Sequence, residues 1–238
     1  MITWEPVDWA AQRTDYQLSD ILAGRYDAYI SAFAADAAAS GQRVLVRLGH
    51  EMNGEWYPWS EGANGNAPGE FTAVWHHVVA QFVAAGATNV EWVWSPNVEF
   101  AGSTPLAGLY PGDGAVDWIA VDGYNFGTSQ PDSRWMTFTE IFEPTLAAIS
   151  RLAPDTPLII GETGCTEVGG DKARWITDMF DALERHPEIR ALTWFEFDKE
   201  TDWRVVSSSA AQSAFAAGAA RPFVVETAVP PLGAGSGG

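Results

Sequence analysis

The hydrophobic and polar positions along the chain alternate between short apolar runs and longer amphipathic segments. The short runs have the length and β-branched character of buried strands, and they predict strands at residues 2–6, 44–51, 90–97, 118–125, 157–163 and 191–198. Between these runs the apolar residues recur at helical spacing, which predicts helices at residues 25–40, 68–85, 139–152, 171–186 and 207–220. Strands and helices that alternate in this way are typical of parallel βα units.

The ends of the predicted strands favour a closed barrel over an open doubly wound sheet. An open sheet of that kind usually carries a glycine-rich phosphate loop after an early strand, and none follows the first predicted strands. Nearly every strand ends instead in polar or aromatic residues, among them Glu5, Glu51, Asn97, Tyr124, Glu162 and Trp194. A (β/α)8 TIM barrel places its active site at that rim, so we expect an α/β fold of the barrel type.

The predicted strands are too few for a full barrel. Eight strands close such a barrel, whereas the pattern predicts six of the eight βα units, and the first strand begins at the second residue. We therefore expect a barrel domain over residues 1–222 that lacks two βα units at its N-terminus. The glycine-rich segment 223–238 predicts a disordered tail or linker. Because an incomplete barrel has open sheet edges, self-association through those edges is an expectation.

Composition and charge narrow the class of partner. The chain has 238 residues, 12 tryptophans and a formal net charge of −18 at pH 7. That charge repels a phosphate backbone, so we expect no nucleic-acid partner. No apolar run has the length of a membrane span, so we expect no membrane partner either. Many of the tryptophans lie near predicted strand ends, which favours a ligand that stacks on aromatic rings, such as a neutral sugar.

The sequence shows no pattern typical of a metal or cofactor site. Cys165 is the only cysteine, and the four histidines lack the i, i+4 spacing of a helical metal site. We predict neither a catalytic metal nor a cofactor. No basic segment followed by an apolar one opens the chain, so no signal peptide is visible. Localisation is left open, because the first βα units are predicted to be missing.

Two glutamates stand at the ends of predicted buried strands. Glu51 follows Val44-Leu-Val-Arg-Leu48, and Glu162 follows Pro157-Leu-Ile-Ile-Gly161. By the two-residue period of a strand, each shares a face with every second residue before it and reaches the rim. Glycoside hydrolysis requires such a pair, since one acid protonates the leaving oxygen and one carboxylate attacks or activates water. Two unrelated acids at strand ends are the structural alternative.

Three blocks of the sequence resemble glycoside hydrolase family 26, in which mannan-degrading enzymes dominate. They are Arg47-Leu-Gly-His-Glu-Met-Asn-Gly54 with Trp56-Tyr-Pro-Trp59, Val121-Asp-Gly-Tyr-Asn125, and Ile160-Gly-Glu-Thr-Gly164. The resemblance implies a (β/α)8 barrel and a retaining mechanism, and it makes the first predicted strand the third strand of the barrel. It also implies that Glu51 is the acid/base and that Glu162 is the nucleophile.

The same resemblance assigns three substrate-binding residues. His50 matches the histidine beside the acid, which is expected to contact the sugar. Tyr124 matches the tyrosine that hydrogen-bonds the nucleophile, with a core tyrosine as the alternative from the residues alone. Trp194 matches the stacking platform at the end of the last strand.

Four more residues are expected to line the site or to support its acids. Trp56 and Trp59 closely follow Glu51 and are expected on the leaving-group side, with packing as an equal alternative for each. Arg47 is expected to orient or neutralise an acid rather than to touch the sugar. Asn97 is a weaker candidate, because polar groups at strand ends also support catalytic ones.

The predicted activity is endo-acting hydrolysis of a polysaccharide or oligosaccharide with β linkages, β-1,4-mannan first, by double displacement. β-1,3-Xylanase and mixed-linkage β-glucanase activity are alternatives within the same family. An inactive fragment or a carbohydrate-binding pseudoenzyme is an alternative of another class, because a barrel that lacks strands has exposed edges.

Overall fold

The computed structural model describes residues 1–10 and 16–225 of the chain. Its strands are Ile2–Trp4 (β1), Val44–Leu48 (β2), Val90–Trp94 (β3), Trp118–Asn125 (β4), Leu158–Cys165 (β5) and Ile189–Trp194 (β6). They form one sheet in the order of the sequence, β1-β2-β3-β4-β5-β6, and the pairs β1–β2, β2–β3, β3–β4 and β5–β6 are parallel. The prediction of six parallel strands is confirmed, although β1, β2, β3 and β6 end earlier than predicted.

Helices connect the strands. They are Leu18–Leu22 (α1), Asp27–Ser40 (α2), Glu70–Ala84 (α3), Leu106–Leu109 (α4), Phe138–Leu152 (α5), Lys172–Arg185 (α6) and Ser209–Ala219 (α7). Five of these match the predicted helical segments, whereas the pattern does not predict the short α1 and α4. The N-terminus of α6 is set by Asp171, whose carboxylate accepts a hydrogen bond from the Arg174 N–H as a helix cap.

The described residues form two compact units. The first comprises Met1–Ala120 and Ser150–Thr156, and the second comprises Val121–Ile149 and the chain from Pro157 onward. In the first unit, side chains of β2 and β3 pack against α3. Val46 and Val93 are fully buried, and the ring of Phe82 in α3 meets that of Trp92 edge-on at 4.9 Å between centroids. This core fixes the carboxyl ends of β2 and β3.

The core of the second unit lies between β5 and the helices of that unit. Ile160 in β5 and Ile176 in α6 are fully buried, and Trp175 of α6 packs edge-on against Phe138 of α5. Helix α7 approaches α6 where Gly218 faces the ring of Phe180. The carboxyl end of β5 is thus fixed by helices on the same unit.

The expected domain boundary and tail remain predictions. The tail predicted at residues 223–238 lies outside the described residues after Val225. Within the described sheet, β1 and β6 are the end strands, and each pairs with one neighbour. Self-association through these edges stays a prediction. None of the helices in residues 1–10 and 16–225 combines the length and the apolar character that crossing a membrane requires.

Gly218→Ala tests the packing of α7 on α6. Helix propensity alone favours alanine over glycine by about 1 kcal/mol, but a Cβ at Gly218 would overlap the ring of Phe180. We expect the overlap to prevail and to lower the free energy of unfolding by about 1–3 kcal/mol. Urea denaturation followed by circular dichroism measures the change.

Gly108→Ala is the matched control for this substitution. Gly108 also lies in a helix, α4, and a Cβ there would meet no atom within 4 Å. Its free energy of unfolding should stay within about 0.5 kcal/mol of the parent value or rise slightly. A Gly218→Ala variant as stable as the parent would contradict the close packing of α6 and α7.

Candidate functional site

The backbone at Glu51 is a turn and not a continuation of β2. The strand ends at Leu48, and Gly49 and Glu51 both have a φ of 53°, a left-handed conformation that glutamate rarely adopts. The Glu51 N–H donates to the Ser95 carbonyl at 2.7 Å, and the Gly54 N–H donates to the Glu51 carbonyl at 3.0 Å. The prediction that the two-residue period of a strand places the Glu51 side chain is therefore wrong, because a turn sets the direction of that side chain. Strained conformations of this kind cluster at functional sites.

Both carboxylate oxygens of Glu51 accept hydrogen bonds. Nε1 of Trp56 donates to Oε2 at 2.7 Å, and Nδ2 of Asn97 donates to Oε1 at 2.9 Å. An indole N–H and an amide NH2 only donate, so these contacts orient the carboxyl group. Glu51 itself is 7% exposed, which leaves the group largely out of bulk water.

Asn53 positions Asn97 and was missed by the sequence analysis. Its Oδ1 accepts from the Asn97 N–H at 2.9 Å, and its Nδ2 donates to the Asn97 carbonyl at 2.8 Å. The Asn53 carbonyl accepts from the Thr104 N–H at 2.9 Å. A fully buried amide two residues after Glu51 thus ties the segment after β3 to the turn. The Asn53-Gly54 pair, which is typical of a turn, was the available clue in the sequence.

Trp56 forms an exposed pair of rings with Phe100. Trp56 is half exposed, and its ring stacks on that of Phe100 with centroids 5.5 Å apart and 30° between the planes. A Cβ at Gly54 would lie 2.5 Å from Cη2 and Cζ2 of Trp56, so only glycine lets the ring lie here. The sequence analysis missed Phe100, whose only signal was its place in the segment after β3.

Trp59 packs inside the first unit, whereas Trp56 does not. The Trp59 ring is fully buried and stacks on Tyr57 with centroids 4.3 Å apart, and its Nε1 donates to the His50 carbonyl at 2.7 Å. Packing is therefore the alternative that holds for Trp59. His50 is buried as well, with Nε2 3.2 Å from the Tyr57 hydroxyl and Nδ1 3.6 Å from Oε1 of Glu5. Its contact with a sugar stays a prediction.

Arg47 in β2 and Arg43 just before that strand have different partners. Arg47 is buried, and its Nε donates to Oγ1 of Thr3 in β1 at 3.0 Å. Its expected action on an acid stays a prediction. Just before β2, Arg43 donates from Nε and Nη2 to the carboxylate of Glu91 at 2.8 and 2.7 Å, and these bonds hold the pKa of Glu91 below its ordinary value.

In the second unit, Glu162 lies within β5 and contacts Tyr124 of β4. The Tyr124 hydroxyl donates to Oε2 of Glu162 at 2.5 Å. The Tyr124 ring lies between those of Trp203 and Phe195, at 5.0 and 5.7 Å between centroids. A Cβ at Gly164 would lie 3.1 Å from Cε3 of Trp203 and 3.4 Å from Cδ1 of Tyr124, so this glycine makes room for both rings.

Trp194 lies among helices. Its ring packs edge-on against Trp175 of α6 and Phe215 of α7, at 6.1 and 5.6 Å between centroids, and its Nε1 donates to the Trp203 carbonyl at 2.9 Å. Trp194 is nevertheless only partly buried, so the platform role expected of it stays a prediction. Successive side chains of an extended segment point to opposite faces, so Phe195 is the residue that turns toward Tyr124.

The remaining chemistry-bearing groups support no nucleophile or metal assignment. Burial raises the pKa of the Cys165 thiol to about 12, and its Sγ accepts a hydrogen bond from Nδ2 of Asn125 at 3.3 Å. In the part of the chain that the structure describes, no three His, Cys, Asp or Glu side chains are grouped as metal ligands. The expectation of no metal and no cofactor stays a prediction.

Gly54→Ala tests whether the Trp56 ring orients Glu51. The new Cβ would displace the ring and break the bond from Nε1 to the carboxylate. Hydrogen bonds to a carboxylate are short and strong, so we expect the Trp56 indole N–H resonance to move upfield in a 1H–15N spectrum. Trp56→Phe assigns that resonance by removing it.

The matched control is Gly114→Ala, since a Cβ at Gly114 would meet no atom within 4 Å. This variant should leave the Trp56 resonance where it is. An unmoved resonance in Gly54→Ala would show that the Trp56 ring does not lie against residue 54.

The chain matches a protein family over most of its length. The model of the family described as Glycosyl hydrolase family 26 matches residues 8–183. Endoglucanase H of Acetivibrio thermocellus is 41% identical over 220 residues, which are 90% of this chain and 23% of that protein. Mannan endo-1,4-beta-mannosidase A and B of Caldalkalibacillus mannanilyticus is 34% identical over 91 residues, which are 36% of this chain and 17% of that protein.

A solved structure shows the same fold. The catalytic domain of the Bacillus sp. JAMB-750 GH26 endo-beta-1,4-mannanase has a TM-score of 0.68 and 23% identity, covering 94% of this chain and 66% of that chain. This likeness confirms the barrel-type α/β fold, of which the described residues contain six strands. The chain thus spans only part of the length of the proteins that it matches. Because the family match covers most of its residues, the chain belongs to glycosyl hydrolase family 26.

Proposed function

We propose that this protein hydrolyses a β-linked polysaccharide with retention of anomeric configuration, with Glu162 as nucleophile and Glu51 as acid/base. The observation that carries the proposal is the local environment of each glutamate. Trp56 and Asn97 donate hydrogen bonds to Glu51, and Tyr124 donates one to Glu162. Membership of glycosyl hydrolase family 26 supports the same class of reaction.

Glu162 acts in the first displacement. The Tyr124 hydroxyl donates a hydrogen bond to its carboxylate and so fixes the direction of the attacking group. The ionised carboxylate attacks the anomeric carbon while the bond from that carbon to the leaving oxygen breaks. The leaving oxygen takes the proton of Glu51, so no charged alkoxide departs. The sugar is then esterified to Glu162.

Glu51 acts again in the second displacement. It takes a proton from water as the water oxygen attacks the anomeric carbon, and the bond to Glu162 breaks. Two displacements invert the carbon twice, so the product keeps the β configuration. Glu51 therefore needs the same orientation in both steps, which the donors Trp56 and Asn97 provide. Fixed orientation of a reacting group lowers the entropic part of the barrier.

The rings of Trp56 and Phe100 form the proposed platform for the leaving-group sugars. Glu51 protonates the leaving oxygen in the proposed reaction, so the Trp56 ring, which is hydrogen-bonded to Glu51, lies beside the departing sugar. Trp56 and Phe100 are 50% and 42% exposed, and a contiguous apolar patch on the surface often marks a ligand-binding groove. A sugar ring has apolar C–H faces that stack on such a surface.

A β-mannan is the first proposed substrate. The resemblance of the catalytic blocks to a family dominated by mannan-degrading enzymes supports it, as does the relative named mannan endo-1,4-beta-mannosidase. A β-glucan is the second candidate. It is favoured by the higher identity, 41% over 90% of this chain, to a protein named endoglucanase. A β-1,3-xylan stays a third alternative on the family resemblance alone.

Substrate charge and catalytic competence are separate parts of the proposal. The formal net charge of −18 repels polyuronides, which favours neutral polysaccharides. A carbohydrate-binding pseudoenzyme would need the aromatic platform but neither acid. That both glutamates are held by hydrogen-bond donors favours catalysis over binding alone.

Azide rescue assigns the two glutamates. With a dinitrophenyl β-glycoside, whose leaving group needs no proton, Glu51→Ala should keep the first step and accumulate the glycosyl-enzyme. Added azide should speed its release as a β-glycosyl azide of retained configuration. Glu162→Ala should lose turnover, and azide should then yield the inverted α-glycosyl azide. NMR of the anomeric proton identifies each product.

The control for both variants is Glu55→Ala, because Glu55 is exposed and lies close to Glu51 in the chain. Its turnover should equal that of the parent. The assignment is falsified if azide gives the inverted product in Glu51→Ala and the retained product in Glu162→Ala, since that pattern exchanges the roles.

A substrate panel tests the polysaccharide class. We expect reducing ends to appear from mannan and glucomannan first, and none from polygalacturonate because of charge repulsion. Release from lichenan that exceeds release from mannan would establish the β-glucan candidate in its place. Chromatography of the products reports which linkages are cleaved.

Glu162→Gln, which keeps size and removes the carboxylate, is the control in every assay. If the parent protein is retarded in a gel that contains mannan but releases reducing ends from no polymer, the pseudoenzyme alternative is supported. Release from polygalacturonate alone would contradict the proposed neutral substrate.

A further inference from the structure

Lys172 is a fully buried cation that the proposed chemistry does not use. It is the first residue of α6 and is 1% exposed. Its Nζ lies within hydrogen-bond distance of four oxygens, namely the carbonyls of Asp202 (3.3 Å), Trp203 (3.1 Å) and Arg204 (2.8 Å) and Oγ of Ser207 (2.9 Å). One ammonium group thus fixes the segment 202–207, which follows β6, to the start of α6.

The ammonium group is kept buried at a cost. Burial lowers the pKa of Lys172, against the opposing effect of nearby Glu167, Cys165, Asp202 and Glu196. A buried charge needs partners that replace water, and apolar residues often fill such places with equal stability. Stability alone therefore does not account for a buried lysine at this position, which points to a role of the segment that it holds.

Trp203 connects that segment to the proposed nucleophile. Its carbonyl accepts from Lys172 and from Nε1 of Trp194 at 2.9 Å, and its N–H donates to the Phe197 carbonyl at 3.1 Å. Its ring is 1% exposed and lies 5.0 Å from that of Tyr124 between centroids. The ring is held as well, since its Nε1 donates to Oε2 of Glu200 at 3.2 Å.

We propose that Lys172 is a positioning residue that holds Trp203 against Tyr124 and so keeps the Tyr124 hydroxyl on the carboxylate of Glu162. The inference rests on the proposed function, in which Glu162 is the nucleophile. When the segment 202–207 is released, the Trp203 ring moves and Tyr124 gains rotamer freedom. The bond from Tyr124 to Glu162 then forms for a smaller fraction of the time. The chemical step slows, whereas the sugar platform of Trp56 and Phe100 is untouched.

Steady-state kinetics of Lys172→Met measure this effect. Methionine keeps an unbranched side chain, one heavy atom shorter than that of lysine, and removes the charge and the donors. We expect kcat to fall by about 10- to 100-fold, as a small misplacement of a reacting group does, and KM to stay within about twofold. Arg174→Met is the matched control, because Arg174 lies on the same helix with a side chain that is 79% exposed. Its kcat should not change.

A double-mutant cycle separates positioning from general loosening. If Lys172 acts through Tyr124, then Lys172→Met should lower kcat by less than about twofold in a Tyr124→Phe background. An equal loss in both backgrounds would overturn the proposal, as would an unchanged kcat or a rise in KM alone. Should Lys172→Met fail to fold, Ser207→Ala removes only one of the four acceptors and should show a smaller loss confined to kcat.

A measurement without substrate distinguishes failure of this inference from failure of the proposed function. The 13Cζ resonance of Tyr124, assigned with Tyr124→Phe among the six tyrosines, reports the hydrogen bond of its hydroxyl. It should shift in Lys172→Met and Ser207→Ala and stay in place in Arg174→Met. If the parent protein has no hydrolase activity, the proposed function is refuted. The shift would still support the contacts that run from Lys172 through Trp203 to Tyr124. An active parent with no shift and no loss of kcat would refute the role of Lys172 alone.

Discussion

Beyond the last residue of a parallel strand, the backbone loses the regular partners of the sheet, and a buried N–H or carbonyl without a partner costs free energy. The chain meets this constraint with specific bonds. In the first unit, Ser95 accepts from the Glu51 N–H, and the Asn53 amide binds both backbone groups of Asn97. In the second unit, Lys172 binds the successive carbonyls of residues 202–204. The proposed chemistry depends on segments held in this way.

The aromatic residues divide into two roles that the local sequence does not separate. Trp59 and Trp203 are buried and fix the segments on which functional side chains lie. Trp56 and Phe100 are exposed and form a surface that a sugar covers in the proposed reaction. The indole N–H of Trp59 donates to the His50 carbonyl, whereas that of Trp56 donates to the Glu51 carboxylate. One short segment thus supplies both a support and a contact.

Part of the candidate site could be predicted from sequence because strand ends are local features. Glu162 lies in the predicted strand, and Tyr124 lies next to the end of the preceding one, so their contact follows from the order of neighbouring parallel strands. The direction of Glu51 did not follow, since β2 ends at Leu48 and a left-handed turn replaces the strand. Family membership supports the assignment of both glutamates, whereas their catalytic roles are proposals.

The sequence by itself determined the six strands, their order of alternation with helices and the two acids near strand ends, because hydrophobic period and turn residues act over a few neighbouring positions. Only the tertiary structure decided which rings are exposed and which positive charge is buried. Trp194 packs against α6 and α7, and Lys172 meets carbonyls some thirty residues further along the chain. Contacts over such separations depend on how whole elements pack, so no local pattern of residues encodes them.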